Sequence, residues 1–495
     1  MTGVLVAVGI ALALVWILIR FLRRPASSSG WRLWCRRAGI GLAWAVAILL
    51  VLWAGADLWS RSLLEKEMEK AAQVGPLSFQ QLLPPMPLAD ENGCSELMRA
   101  SELQAARKQR AQAKDASLED RWFWNGGLSR AFTKNVKGAS YMPWNPKQIQ
   151  DARSVLDRNG EILSLIRRGA DRPHLRYPLD TNGRLFDVRL PHLTYFRDTS
   201  RLLLAAARVE AEEGRTDQAL QDLSRSARIG RGLEEDPVVI SCMVSLAIRG
   251  LTCDGVDWIL KEGAKASPEE FGGLSEALRL DKDLGRLILL GERASGMDCM
   301  ERLMGDLSQF RRLAPALELE ETESGWPASL GAAVSTAPGR PWMRWQEAVH
   351  LHVLSDMSQH AEDPARELVD PEEIPTLAIL PRLLIPALNN VRTSLLRTRA
   401  RCDATRWALA VLQHKMKTGK LPATLEEVPA ELIQDRPLDP WALKPFVYKP
   451  EADGSGFVLY SLGENRKDDG GNFTITQDNM GGSHVLDLGV RWKVR

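Results

Sequence analysis

Three side chains in the second half of the chain have the types and spacing of metal ligands. His352, Asp356 and His360 recur at four-residue steps, so a helix would present them on one face. Imidazole nitrogens and carboxylate oxygens bind divalent transition metals, and a fourth ligand would come from another part of the chain. This interpretation makes the protein a metal-dependent envelope enzyme. The competing interpretation is a solvated polar stripe, because the helix borders polar segments.

Other signatures of catalysis are absent from the sequence. It contains no nucleophile elbow, phosphate-binding loop, zinc-protease helix or dinucleotide fingerprint. Neighbouring carboxylates such as Glu320-Glu321, Glu372-Glu373 and Glu426-Glu427 lie about 100° apart on a helix, which is typical of solvated faces. The sequence therefore favours a protein that is not an enzyme.

The cysteines show neither a C-x-x-C pair nor a metal-binding spacing. One of the six lies in the membrane region, which leaves five beyond it, so these five cannot all be paired. Cys242 and Cys253 are interpreted as small core residues. Cysteine usage therefore neither supports nor excludes an oxidising compartment. The six are Cys35, Cys94, Cys242, Cys253, Cys299 and Cys402.

Composition and charge exclude one class of partner. The 495 residues are 45% hydrophobic and 26% charged, which is ordinary for a globular chain with real cores. Sixty-four basic residues oppose sixty-three acidic ones, for a net charge of +1. Because no overall field attracts a polyanion, we expect no nucleic-acid partner.

The first sixty residues predict an anchor in the lipid bilayer. Residues 3–19 and 38–56 are uncharged and each is long enough to cross a bilayer as a helix. Positively charged loops stay in the cytoplasm, so the large C-terminal region is expected outside, on a bacterial inner membrane that the chain crosses more than once. The loop between the two runs contains no acid and carries Arg20, Arg23, Arg24, Arg32, Arg36 and Arg37.

Two alternatives remain open for this region. Residues 20–56 could form an export signal, with Ala54-Gly55-Ala56 as a small-residue cleavage site. The two runs could also be buried core helices, although no charge interrupts either of them.

The rest of the chain is predicted to be mainly α-helical. We divide the chain into a membrane region at 1–60, a linker at 61–93, an α-helical body at 94–395 and a small α+β C-terminal module at 396–495. In the body, residues 196–233 predict a helical hairpin that resembles one tetratricopeptide unit, with an ordinary antiparallel pair as the alternative. The run VVISCMVSLAI is too short to span a membrane and predicts a buried helix. Further helices are expected at 94–115, 146–168, 268–280, 284–312, 341–360 and 382–418.

Two strands are expected near the C-terminus. The aromatic and β-branched runs FVYK (446–449) and FVLYSL (457–462) flank the turn sequence PEADGSG. This pattern is typical of a β-hairpin.

The order of motifs after residue 400, G-x-L-P, LDPW, FVYK, GFVLYSLG and DDGG, resembles the globular module of the major pseudopilin of type II secretion. The resemblance covers about residues 400–475 and implies a calcium ion held by the Leu462 carbonyl and by Asn465, Asp468 and Asp469. Oxygen donors of this kind suit calcium. The alternative is a polar turn without an ion.

This sequence departs from the family in two ways. Asn465 replaces a usual aspartate, which predicts weaker calcium binding. The prepilin cleavage signature is absent, so the chain should not assemble as a pilin.

The whole layout resembles large uncharacterised planctomycete-type membrane proteins, through PPMPLADENG and EEGRTDQALQDLSRSARIGRGL. The sequence thus favours a noncatalytic envelope scaffold or interaction protein. The second interpretation is an accessory of a secretion system, with envelope or secretion proteins as partners.

Overall fold

The computed structural model describes most of the chain. The described residues are 20, 30–128, 131, 144–180, 189–305, 339–364, 366, 369–473, 475–477, 483–485 and 487–494. The first apolar run, 3–19, and part of the arginine loop lie outside the described residues.

The protein is mainly α-helical with a small antiparallel sheet at the C-terminal end, which confirms the predicted fold class at this level. The helices are α1 (Gly30–Val74), α2 (Phe79–Leu82), α3 (Cys94–Arg110), α4 (Leu118–Trp122), α5 (Pro146–Arg158), α6 (Gly160–Ala170), α7 (Pro191–Glu212), α8 (Thr216–Gly232), α9 (Val239–Leu260), α10 (Pro268–Leu278), α11 (Leu284–Gly305), α12 (Arg340–Gln359) and α13 (Ile379–Thr418).

Helix α1 is longer than the sequence analysis expected. It contains the second apolar run and continues through residues 61–74, which had been assigned to a linker. The extension LLEKEMEKAA consists almost entirely of strong helix formers, so propensity accounts for it. We call residues 57–74 the stem of α1.

Helices α7 and α8 form the predicted antiparallel hairpin. Gly214 has φ +77° and lies in the turn between them, where a residue with a side chain would be strained. Leu220, Leu223 and Ala227 are buried on one face of α8, as their spacing predicts. Arg215 holds the N-cap position of α8, and Thr216 is its first helical residue.

Two described helices, α1 and α9, are long and apolar enough to cross a membrane. Their surroundings differ, because 11% of the apolar window of the first helix is buried, against 61% of the window in α9. Arg249 of α9 is fully buried and donates to Glu234 and to the carbonyl of Ala277. Helix α9 therefore lies in the core of the body, as the sequence predicted.

The sheet at the C-terminal end has three strands. Strands β1 (Val447–Pro450) and β2 (Gly456–Ser461) form the predicted hairpin, and β5 (Leu488–Lys493) pairs antiparallel with β2. A second hairpin joins β3 (Ile475–Gln477) and β4 (Ser483–Val485).

One hydrophobic core unites the helical body with this sheet. A single buried cluster extends from Leu97 in α3 through α7 to α10 and includes Phe457, Leu459 and Trp492 of the sheet. The expected boundary between residues 395 and 396 falls inside α13, a continuous helix of 40 residues that packs on both parts. The terminal sheet thus completes the core of the body.

Two arginines of α11 hold the C-terminal end of α1. The last carbonyls of a helix have no partner within the helix. The guanidinium of Arg293 is buried and donates to the carbonyls of Ala71 (3.1 Å), Gly75 (2.8 Å) and Pro76 (2.8 Å). Arg286 donates to the carbonyl of Val74 at 2.6 Å. We call this set of contacts the arginine clamp.

Replacing Arg293 tests the clamp. Arg293→Met should lower the free energy of unfolding by about 3 kcal/mol, because three carbonyls, one buried and two in partly buried hydrogen bonds, lose a charged donor. Arg286→Met removes one exposed hydrogen bond and should cost about 1 kcal/mol or less. Thermal unfolding of the detergent-solubilised full chain measures both variants. Equal losses in the two variants would contradict the clamp.

Candidate functional site

The N-terminal part of α1 exposes a band of large apolar side chains. Exposed fractions reach 68% at Leu42, 64% at Leu49 and 64% at Leu52. Water-soluble proteins rarely expose contiguous apolar surface on this scale. The band consists of Leu42, Trp44, Val46, Ile48, Leu49, Val51, Leu52, Leu58 and Trp59.

A buried ion pair lies at the C-terminal end of this apolar band. Asp57 is 1% exposed, and its carboxylate contacts Arg61 on the same helix at 2.7 Å and Arg344 of α12 at 2.5 Å. A buried carboxylate is strongly destabilising without such partners. The pair therefore fixes the position at which α1 enters the body.

Helix α12 runs alongside the stem in the same direction. Arg344 contacts Asp57 near the start of both segments, and His352 lies 3.4 Å from Glu67 about two turns further along. The N-terminal end of α12 therefore lies at the level of the apolar band.

More apolar surface surrounds that end of α12. The indole of Trp342 donates to the carbonyl of Leu377 at 3.2 Å, so the segment before α13 lies beside the start of α12. Leu377 (68% exposed), Ile379 (43%) and Leu383 (53%) form what we call the apolar ledge. The ledge and the exposed part of α1 thus lie at one end of the protein.

The three predicted transition-metal ligands do not converge on one point. His352 is exposed and faces Glu67, whereas Asp356 accepts a hydrogen bond from Arg366 at 2.9 Å. His360 Nδ1 lies 3.0 Å from the backbone oxygen of Asp356 and 3.7 Å from its carboxylate, so the structure brings these two side chains together. Among the residues that the structure describes, no three histidine, cysteine, aspartate or glutamate side chains form a group that could hold a metal ion.

Asp439 connects two of the motifs in the C-terminal module. This aspartate of LDPW is 1% exposed and accepts hydrogen bonds from the amide of Trp441 (2.9 Å), the hydroxyl of Ser461 (2.7 Å) and the amide of Leu462 (2.8 Å). Ser461 and Leu462 belong to YSLG, so one carboxylate holds the two motifs together. Sequence analysis quoted both motifs but did not assign this role.

The structure brings two of the predicted calcium ligands together. The Asn465 amide donates to the Asp469 carboxylate at 2.8 Å. Asp468 instead accepts from the hydroxyl of Tyr460 (2.7 Å) and contacts the ammonium of Lys449 (3.3 Å). These hydrogen bonds keep the pKa of Asp468 below its usual value, with the Tyr460 bond as the main cause.

Asp487, which the sequence analysis did not select, organises the same loop. Its carboxylate is buried and accepts hydrogen bonds from the amides of Gly471 (2.8 Å) and Asn472 (3.0 Å). Gly470 and Gly471 have positive φ values of 77° and 76°, which explains the two glycines of DDGG. The position of Asp487 just before β5 is a weak sequence signal, because aspartates are common in turns.

Comparisons with protein-family models, with curated proteins and with solved structures found no match.

A polar cleft of about 620 Å³ lies between α5, α6, α7 and α8. The Arg167 guanidinium binds the buried carboxylate of Asp222 and donates to Glu210 at 2.8 Å. Burial, followed by the charge of Asp222, raises the pKa of Glu210 to about 7. Glu210 thus keeps a proton in the folded protein at a pH where an unfolded chain has lost it.

This pKa predicts a pH dependence of stability. Between the unfolded pKa of about 4.5 and the folded pKa of about 7, the folded chain binds more protons, so this group's contribution to stability falls as pH rises. Glu210→Gln removes that contribution. As pH rises through this window, the free energy of unfolding of the variant should therefore increase relative to that of the unsubstituted protein, by up to about 1.4 kcal/mol per pH unit.

Chemical denaturation of the full chain at pH 5, 6, 7 and 8 measures the difference. Glu213→Gln is the control, because it makes the same substitution at an exposed carboxylate. If the pH profiles of Glu210→Gln and the unsubstituted protein are parallel, the pKa of Glu210 is not raised in the folded protein.

Proposed function

We propose that this protein is a bilayer-anchored scaffold or interaction protein whose helical body and C-terminal module face away from the cytoplasm. The observation that carries the proposal is the apolar band of α1, whose exposed side chains lie between residues 42 and 59 and whose C-terminal end includes the buried Asp57. Lipid removes the cost of exposing such side chains to water. Only 11% of the apolar window is covered by protein.

The docked stem gives the anchor a mechanical role. A flexible linker would leave the body free to rotate, whereas the stem packs on α12 and its end is held by the arginine clamp. We infer that the body is held in one orientation at the bilayer surface. A fixed orientation suits a scaffold, because partners then meet one face of it.

The apolar ledge supports the same orientation. Leu377, Ile379 and Leu383 lie at the end of the body from which the apolar band emerges. Side chains at this level would reach the headgroup region, where an indole such as that of Trp342 is favoured. The ledge would thus serve as a second contact with lipid.

A reporter fused after Arg495 tests the topology. The arginine loop should remain in the cytoplasm, so alkaline phosphatase at this position should be active and a cytosol-dependent fluorescent reporter should be dark. Protease added to intact spheroplasts should digest the body. A matched variant with the six loop arginines changed to serine should lose this orientation bias. A tail that resists protease and fluoresces in the cytosol contradicts the proposal.

We further propose that the DDGG loop binds calcium. Asn465 and Asp469 are already in contact. The ammonium of Lys449 lies beside the Asp468 carboxylate, and a bound calcium ion would replace it as the positive charge at that carboxylate. The Leu462 carbonyl would be the fourth ligand that the pseudopilin resemblance implies. This resemblance also supports the second candidate function, an accessory of a secretion system, because Asp439 joins the LDPW and YSLG motifs that carry it.

Calcium should raise the melting temperature of the full chain. At a calcium concentration one hundred times the Kd, binding stabilises the folded state by about 2.7 kcal/mol. Replacing both Asp468 and Asp469 by alanine should abolish the shift, and Asn465→Asp should lower the Kd by adding a negative charge. Asp453→Ala is the control, since Asp453 lies in the exposed turn between β1 and β2.

The calcium titration is followed by differential scanning fluorimetry, with magnesium as a second cation. An unchanged melting temperature in the unsubstituted protein, or an equal shift in the double alanine variant, would leave DDGG as a turn without an ion.

A further inference from the structure

Two buried cysteines that the proposed function does not use lie against each other in the core. Cys253 of α9 and Cys402 of α13 have their sulfur atoms 3.6 Å apart, and both side chains are essentially inaccessible. They are 149 residues apart in the sequence, so the contact joins distant segments. Sequence analysis had interpreted Cys253 as a small core residue.

We propose that Cys253 and Cys402 form a disulfide that fastens α9 to α13 when the protein folds in an oxidising compartment. The inference rests on the proposed export of the body. A disulfide needs a sulfur separation of about 2.05 Å, so the two sulfur atoms must approach by about 1.5 Å. Side-chain rotation and small helix shifts supply a movement of this size.

The surrounding residues already fix the two helices at this point. Arg401, beside Cys402, forms an ion pair with Asp254, beside Cys253. The same register that joins these charges also opposes the two thiols. Formation of the disulfide therefore requires no change of helix pairing.

An oxidising thiol–disulfide oxidoreductase accepts the two electrons that are released when the disulfide forms. The thiolate of one cysteine attacks the disulfide of the oxidoreductase, giving a mixed disulfide and releasing one thiolate of that enzyme. The thiolate of the second cysteine then attacks the mixed disulfide. The new bond joins Cys253 to Cys402, and the oxidoreductase leaves as a dithiol that has taken two electrons and two protons.

The timing follows from burial. An enzyme cannot reach either sulfur once α13 has packed on α9, so oxidation takes place before the core closes. Cys242 lies on the same helix and is equally buried, and burial raises the pKa of its thiol to about 12. It provides a matched thiol for comparison.

Mass spectrometry of the full chain tests the pairing. Cells are quenched with N-ethylmaleimide, and the protein is denatured and digested without reductant. A linked peptide pair containing Cys253 and Cys402 is expected. It should disappear in Cys253→Ser and in Cys402→Ser but persist in Cys242→Ser. The disulfide should also raise the melting temperature, and a reductant should reverse this gain only in proteins that keep both cysteines.

A second arm separates the pairing from the topology. Reduced, purified full chain is refolded in detergent with glutathione and glutathione disulfide, and the Cys253–Cys402 link should dominate over links to the other cysteines. Scrambled links, or free thiols in cells whose Arg495 reporter is extracytoplasmic, overturn the disulfide. Free thiols in cells together with a cytosolic reporter and a correct link after refolding overturn the proposed topology and leave the pairing intact.

Discussion

The end of a helix inside a protein must find donors for its last carbonyls, and this requirement determines how α1 joins the body. Arg293 meets it with a buried guanidinium that spans the carbonyls of Ala71, Gly75 and Pro76. Burial lowers the pKa of Arg293 to about 10, so the group stays charged at neutral pH. Because the guanidinium is planar and reaches several acceptors at once, it fixes direction as well as distance. The same guanidinium donates to the hydroxyl of Ser355 in α12 at 2.9 Å, so it joins the stem, α11 and α12.

The ion pair of Asp57 and Arg344 complements the clamp at the other end of the stem. Buried ion pairs contribute little net stability, because desolvation offsets most of the attraction. Breaking one partner is costly, however, so such a pair selects a single register between two helices. With a charged contact to α12 at one end and the clamp of α11 at the other, the stem has a defined depth and rotation on these two helices. The apolar band is thereby presented at a fixed angle to the body.

The sequence correctly predicted those helices and strands whose signals lie within the segment itself. The starts of α10, α12 and α13 lie within a few residues of the predicted ones, because the apolar spacing and the flanking proline and glycine are contained in each segment. The β1–β2 hairpin follows from its turn.

Strand β5 was missed because its partner is β2, which lies about thirty residues earlier, and nothing in LGVRWK identifies that partner. The clamp was missed for the same reason, since Arg293 and Ala71 are 222 residues apart. Residues 146–168 were predicted as one helix and form two, divided at Asn159.

The length of helix α13 determines how far parts of the protein lie from the apolar ledge. At about 1.5 Å per residue its 40 residues span about 60 Å. Its first turn carries part of the apolar ledge, and its last turns support the sheet, where Lys415 donates to the carbonyl of Val494. Glu464, four residues before the DDGG loop, contacts Arg397 at 2.7 Å, about 27 Å along α13 from its first residue. If the ledge rests on lipid and α13 points away from it, the loop stands at about that height above the headgroups. A ligand arriving from the aqueous phase reaches that height freely, whereas a partner embedded in the same leaflet needs a tall domain of its own.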